Sequence, residues 1–288
     1  MPRRALVLFL ALSFIWGIPY FFIKIAIEDF TPLIVVFMRT FIAALVMIPL
    51  AHRRGDLIPA LKAWRWVLVF AVLEMVIPWW LLNDSETRIS SGLAALLLAT
   101  VPIVSTVINS LWGTKGAWHR DRILGMTVGF VGVLGLVWLD IQNGSADLRS
   151  IVQMVLVAIG YSLAPAIASR KLKDISIIGL VGLSAAMVAL IYLPITIATW
   201  DQVKPTASGY ISVSILGLIC TATAFVVMFE LIKLIGPIRI TLVTYINPAV
   251  AIAMGVLFLQ EKITLGMIVG FPLVLVGSYL ATRSRELN

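Results

Sequence analysis

The sequence predicts an all-α integral membrane protein: ten transmembrane helices forming two inverted-topology repeats of five. Three observations predict it: the composition, a division into ten continuous apolar runs, and a stretch that occurs twice. Of 288 residues, 61% are hydrophobic and 12% are charged, and the mean hydropathy is +1.05. Soluble domains carry roughly 25% charged residues, and roughly half the surface of a soluble fold must still face water. A soluble enzyme, a disordered chain and a nucleic-acid-binding domain are excluded on these grounds. The net charge of +8 does not restore the last of them, because the 22 Lys and Arg lie between apolar runs and form no basic stripe interleaved with aromatics.

A helix needs about 20 apolar residues to cross a bilayer, and ten runs approach or exceed that length. The first, 5–26, follows Met-Pro-Arg-Arg. It is longer than the roughly 7–15-residue core of a secretory signal and lacks a clear cleavage site, so it is expected to stay as the first span. The second, 32–51, opens at Pro32 and stops before Arg53-Arg54, and the third, 64–83, stops at Asn83. The fourth, 90–112, follows Arg88, and the fifth, 122–139, follows an extra segment, Gly113–Trp118, read as a cytoplasmic loop. The sixth, 150–169, ends before Arg170-Lys171, and the seventh, 176–199, ends at Trp200. The eighth, 209–232, ends before Lys233; the ninth and tenth, 238–259 and 263–282, flank the tight Gln260-Glu261-Lys262 hairpin. All are continuous in Leu, Ala and Ile rather than alternating, which makes them helices and not barrel strands. Trp64, Trp66, Trp112 and Trp200 at span ends, with Trp79 and Trp80, read as interfacial anchors.

Short-loop Lys and Arg set orientation. With the N-terminus in the cytoplasm, 16 basic residues fall inside and 5 outside, while Arg39 lies within the second span. Both termini are therefore expected in the cytoplasm. The single cysteine, Cys220, rules out an intrachain disulfide, and two histidines in predicted loops, His52 and His119, offer no metal site.

Leu124-Gly-Met-Thr-Val-Gly-Phe130 recurs as Leu265-Gly-Met-Ile-Val-Gly-Phe271, six identities in seven. Pro102 in the fourth span answers Pro248 in the ninth, and Trp16 more weakly answers Tyr161. The repeating unit is five spans, so residues 1–140 form the first repeat and 150–288 the second. Five is odd, and the second copy must enter the membrane from the opposite side, the arrangement of many secondary transporters.

The segment Phe14-Ile-Trp-Gly17 through Lys24, then Pro32 and Arg39, resembles the first half of an EamA-type protein of the drug/metabolite transporter superfamily. So do Ile89-Ser-Ser-Gly-Leu-Ala-Ala-Leu-Leu-Leu-Ala-Thr-Val-Pro102, Asn247-Pro248, the Gln260–Lys262 hairpin and the closing Gly266–Gly277 helix. The resemblance covers nearly the whole chain. It implies a central cavity between the halves and export of small metabolites across a bacterial inner membrane, with the amino-acid exporter (YddG-like) branch the best match. A nucleoside or sugar is the alternative cargo and a channel the alternative mode.

Two charges lie deep in apolar runs. Arg39 is about 10 Å past the start of its helix and Glu74 about 14 Å before Asn83, at 1.5 Å per residue. Each costs about 2.5–3.5 kcal/mol at mid-membrane, so each should face a cavity or the other. Either they bind the carboxylate and amine of a zwitterion, with Glu74 able to carry a proton, or they form a static ion pair. Trp16, Tyr20 and Tyr161 sit away from the span ends, and their polar tips need partners when buried, so they are candidates to line a cavity or for ordinary packing. Pro102 and Pro248 each free a carbonyl, of Leu98 and Thr244. These positions read either as substrate-facing kinks, with Tyr245 and Asn247 beside them, or as packing kinks. Gly125-x-x-x-Gly129 and Gly266-x-x-x-Gly270 allow close helix approach. One motif per half favours packing of the fifth span on the tenth within one chain, and the chain fits a monomer or a homodimer.

No phosphate-binding loop is present: Gly113-Thr-Lys-Gly116 is too short. One buried cation and one buried anion suit a neutral or zwitterionic small molecule. Clustered carboxylates or histidines for a metal are missing, as is the acid–base set of an intramembrane enzyme. No cofactor is implied, and membrane lipid is the expected partner of the basic loops.

Overall fold

The computed structural model describes residues 3–112, 120–203, 205–235 and 243–282. Helix α1 spans Arg3–Asp29, α2 Pro32–Arg53, α3 Trp64–Glu86, and α4 runs as Ser91–Leu98 and then Val101–Leu111. Helix α5 is Arg120–Gln142, α6 Leu148–Lys171, α7 Ile177–Thr199, α8 Ala207–Ile235, α9 Val243–Phe258 and α10 Leu265–Thr282. Eight of them are long and apolar enough to cross a membrane, and α9 and α10 are shorter apolar helices. Residues 238–242 of the ninth run, the Gly113–Trp118 segment, and Lys115, Lys204, Arg239, Arg283 and Arg285 lie outside the described residues.

Polar side chains start the helices. Thr31, Ser90, Asp147, Ser176 and Thr206 are the N-caps of α2, α4, α6, α7 and α8, each accepting a backbone N–H from its helix's first turn. Such caps satisfy donors that have no partner inside the helix. Burial of Asp147 pushes its carboxyl up. Hydrogen bonds from Ser150 and the Arg88 charge outweigh that and hold it below the usual carboxylate range.

Four irregularities shape the bundle. Helix α1 bends at Ile18, where Pro19 opens its second segment. Helix α4 is interrupted at Ala99–Thr100, and Pro102 falls in the first turn of the restarted helix, where the missing N–H costs nothing. Helices α3 and α8 each contain a π-helical stretch, Val72–Val76 and Leu218–Thr223. The two stretches begin 146 residues apart, the separation of Pro102 from Pro248. Single π turns are frequent at functional sites. Carbonyls here are satisfied by hydroxyls: Tyr192 donates to Val76 at 2.8 Å, Thr221 to Leu216 at 2.8 Å and Thr223 to Leu218 at 2.8 Å.

Helix α1 packs on α8 and α9, and α6 packs on α3 and α4. Helix α2 packs on α7 and α8, and α3 on α7; α4 lies on α9 and α5 on α10. Exchanging α1–α5 for α6–α10 maps each of these pairings onto another or onto itself. The α5–α10 seam is made by glycines. A Cβ on Gly277 would lie 2.3 Å from the Gly129 Cα and 2.7 Å from the Gly125 carbonyl. Gly270 faces Leu136 and the Gly132 carbonyl, and Gly266 faces Asp140 and the Leu136 carbonyl. Small residues let helix backbones meet this closely.

Candidate functional site

Arg39 on α2 is a buried cation, only 7% exposed. Its Nε donates to Thr221 Oγ1 at 2.9 Å, inside the π stretch of α8, and its guanidinium carbon lies 3.8 Å from the centre of the Trp79 ring on α3. Thr221 passes the bond on to the Leu216 carbonyl. Among the described residues this is the only hydrogen bond of the Arg39 side chain, so both terminal N–H2 groups are uncommitted. A guanidinium held by Nε and an aromatic face presents its outer fork to a carboxylate.

Glu74 stands in the π stretch of α3, and its Oε2 is buried with no hydrogen-bond partner among the described residues. No ion pair joins it to Arg39, which excludes a static pair between them in this conformation: Arg39 is turned to Thr221 and Trp79 instead. Tyr161 on α6 lies within electrostatic reach of Glu74, Tyr20 and Arg39 and packs in the same cluster as Trp79. Tyr20 on α1 is buried, with Arg39 in electrostatic reach. Tyr20 on α1, Arg39 on α2 and Glu74 on α3 thus each lie in electrostatic reach of Tyr161 on α6.

The other sequence candidates are occupied elsewhere. Trp16 makes an edge-to-face contact with Phe225 on α8, with centroids 6.0 Å apart. Tyr245 meets Tyr279 on α10 at 6.4 Å. The Asn247 amide donates to the carbonyls of Val243 at 2.9 Å and Ser13 at 3.0 Å, tying α9 to α1. Pro102 is buried at the α4 break, where the Val101 carbonyl accepts the Ser162 hydroxyl of α6 at 3.3 Å, while Pro248 is buried within an uninterrupted α9. Trp79, expected as an interfacial anchor, is 4% exposed. Its indole is the seat of the Arg39 cation. Sequence carried no sign of this, since Trp79 and Trp80 are adjacent and only Trp80, at 39%, reaches the surface.

A second polar region was missed. It lies at the far end of the bundle, away from Arg3, where the α3–α4, α5–α6 and α9–α10 connections meet. Asp84 accepts from Arg88 at 2.9 Å, Arg149 at 2.9 Å and Gln153 at 2.7 Å, joining α3 to α6. Glu261 accepts from the Ser91 N–H at 2.9 Å, the Ser91 hydroxyl at 2.7 Å and the Gly92 N–H at 3.4 Å, clasping the α9–α10 hairpin to the start of α4. Lys24 donates to the Glu86 backbone carbonyl, while both carboxyl oxygens of Glu86 are buried without a partner among the described residues. The Asn83–Glu86 stretch reads in sequence as an ordinary polar span end, so nothing there marked Glu86 as buried.

A bundle of apolar helices long enough to cross a membrane, with polar side chains buried inside it, belongs to the class of polytopic membrane proteins. This chain belongs to the EamA-like transporter family, whose model matches residues 3–138 and 148–283. It is similar to the uncharacterized inner membrane transporter YedA of Escherichia coli K12, 27% identical over 280 residues covering 94% of this chain and 90% of that protein. It is also similar to the protein PagO of Salmonella typhimurium, 24% identical over 98% of this chain and 93% of that one. The uncharacterized transporter YdfC of Bacillus subtilis is 24% identical over 89% and 83%. A solved crystal structure shares the fold with a TM-score of 0.68 at 16% identity, covering 98% of both chains.

Proposed function

We propose that this chain is a secondary transporter that exports small zwitterionic metabolites, amino acids first among them, by alternating access across a bacterial inner membrane. The observation that carries the reading is the pair of uncommitted groups at the centre: the outer fork of Arg39 and the free oxygen of Glu74. A cation and an anion that do not satisfy each other suit a carboxylate and an ammonium on one molecule. Tyr20 and Tyr161 supply hydroxyls beside them, the site residues of a small polar cargo. The carboxylate would take the Arg39 fork, and the ammonium the Glu74 oxygen.

Residues 1–140 and 150–288 act as two five-helix repeats of opposite orientation. Two family matches of similar length, helix pairings that survive exchange of the halves, and π stretches 146 residues apart support this. Opposed halves with one fold exchange inward-facing and outward-facing states, and the α4 break ahead of Pro102 and the matching position Pro248 inside the continuous α9 are where these helices flex. The 16-to-5 division of basic residues supports cytoplasmic termini, which puts the far end outside. The name of the Escherichia coli relative supports the inner membrane.

A thermal-shift panel on purified protein tests the cargo. The expected result is stabilisation by some amino acids, and a response to nucleosides or sugars alone contradicts it.

A further inference from the structure

Glu86 is a far-end acid that no salt bridge or cap accounts for among the described residues. The residue is 0% exposed, and neither carboxyl oxygen meets a donor among the described residues. An ionised carboxylate is not left that way in a protein interior, because its lost hydration is unreplaced. A neutral acid needs far less. Charged and dissociable groups face it from two other elements. Lys24 on α1 holds the Glu86 backbone carbonyl, Glu261 of the α9–α10 hairpin is in electrostatic reach, and so is the Tyr20 hydroxyl one step inward. On its own helix, Asp84 faces away into the network with Arg88 and Arg149. A second negative charge beside Glu261 would oppose the clasp that Glu261 makes on Ser91 and Gly92.

We propose that Glu86 is a proton-binding site of this transporter, and that its neutral form holds the far end shut. The carboxylate takes one proton to become the acid, with no other bond made or broken. Loss of that proton leaves an anion that needs water and Lys24. Lys24 moves off the backbone carbonyl, the Glu261 clasp loosens, and the far end opens. The meaning of that opening rests on the carrier reading above; the proton site itself does not.

The test uses full-length protein. Infrared spectra of purified wild type and E86Q in phosphatidylethanolamine–phosphatidylglycerol liposomes are compared at neutral pH. The expected result is a protonated-carboxyl C=O band in wild type, part of which is lost in E86Q. If E86Q does not fold, E86D carries the same test, because the band moves when the acid is repositioned. An identical band in wild type and either variant overturns the proposal. Closure is read separately in detergent, with Ile89→Cys, 1% exposed in the wild type, in a Cys220→Ser background. Labelling by a bulky maleimide rises more steeply with pH than in the same protein carrying E86Q. Equal pH dependence in the two overturns the gating role. Absence of solute counterflow in wild type would instead sink the carrier reading and leave the infrared result standing.

Discussion

The two halves of the bundle share a frame and differ in what they carry on it. At a shift of 146 residues Pro19 answers Pro165, Pro102 answers Pro248 and the π stretch at Val72 answers that at Leu218. Yet Arg39 is answered by Ala185 and Glu74 by Cys220. Backbone behaviour divides the same way. Helix α1 bends at Pro19 and α4 breaks ahead of Pro102, while α6 and α9 run through Pro165 and Pro248 without interruption. The first half therefore supplies the charges and the broken helices. The second supplies partners: Thr221 holds the Arg39 Nε, and Tyr161 and Tyr192 reach across to α3 surroundings. A repeated frame needs its polar groups only once, because each buried charge is expensive in a membrane.

The comparison is broken most severely by removing a charge from the first half. Arg39→Ala should weaken amino-acid binding by about 10–100-fold, the worth of a charged hydrogen bond or two. Ala185→Ser, its counterpart, should leave binding within about twofold, a change under about 0.5 kcal/mol; titration calorimetry reads both. Next comes the seam where the halves touch most closely. Gly277→Leu should cost at least about 1–3 kcal/mol through overpacking, seen as a lowered melting temperature. Gly135→Ala, across the seam on α5 but with no atom within 4 Å of an added Cβ, should shift it little. Thr221→Val, which strips Arg39 of its partner in the second half, should cost about 1–3 kcal/mol by leaving a buried donor unmet. It should also weaken binding less than Arg39→Ala.

The smallest effect is at the connection between the halves. Asp147→Ala should cost about 1 kcal/mol at neutral pH as a lost helix cap. The folded carboxyl sits below its ordinary range, so its contribution is present above that range and fades as the pH falls through it. Denaturation of wild type and variant at neutral and strongly acid pH should show the difference closing.

Most of the frame was legible because a bilayer dictates segment length. The ten runs coincide with the helices to within a few residues, apart from the start of the ninth, outside the described residues. Pro102 announced the α4 break, but the same signal at Pro248 gave no interruption, since a proline inside a helix removes one bond without deciding whether the neighbours absorb it. The charges Arg39 and Glu74 stood out against apolar surroundings. Their partners did not. Thr221 and Trp79 are apart from Arg39 in sequence, and π turns carry no composition of their own. Glu86 was hidden for the opposite reason: it lies among polar residues at a span end, and only packing shows that its carboxyl is enclosed.

Counterflow in proteoliposomes puts the central claim, a carrier with a zwitterion site between the halves, to its most direct test. Wild type should show saturable uptake of labelled amino acid, accelerated by unlabelled amino acid on the far side and lost in Arg39→Ala. Linear flux without acceleration, or acceleration that Arg39→Ala leaves intact, would contradict it.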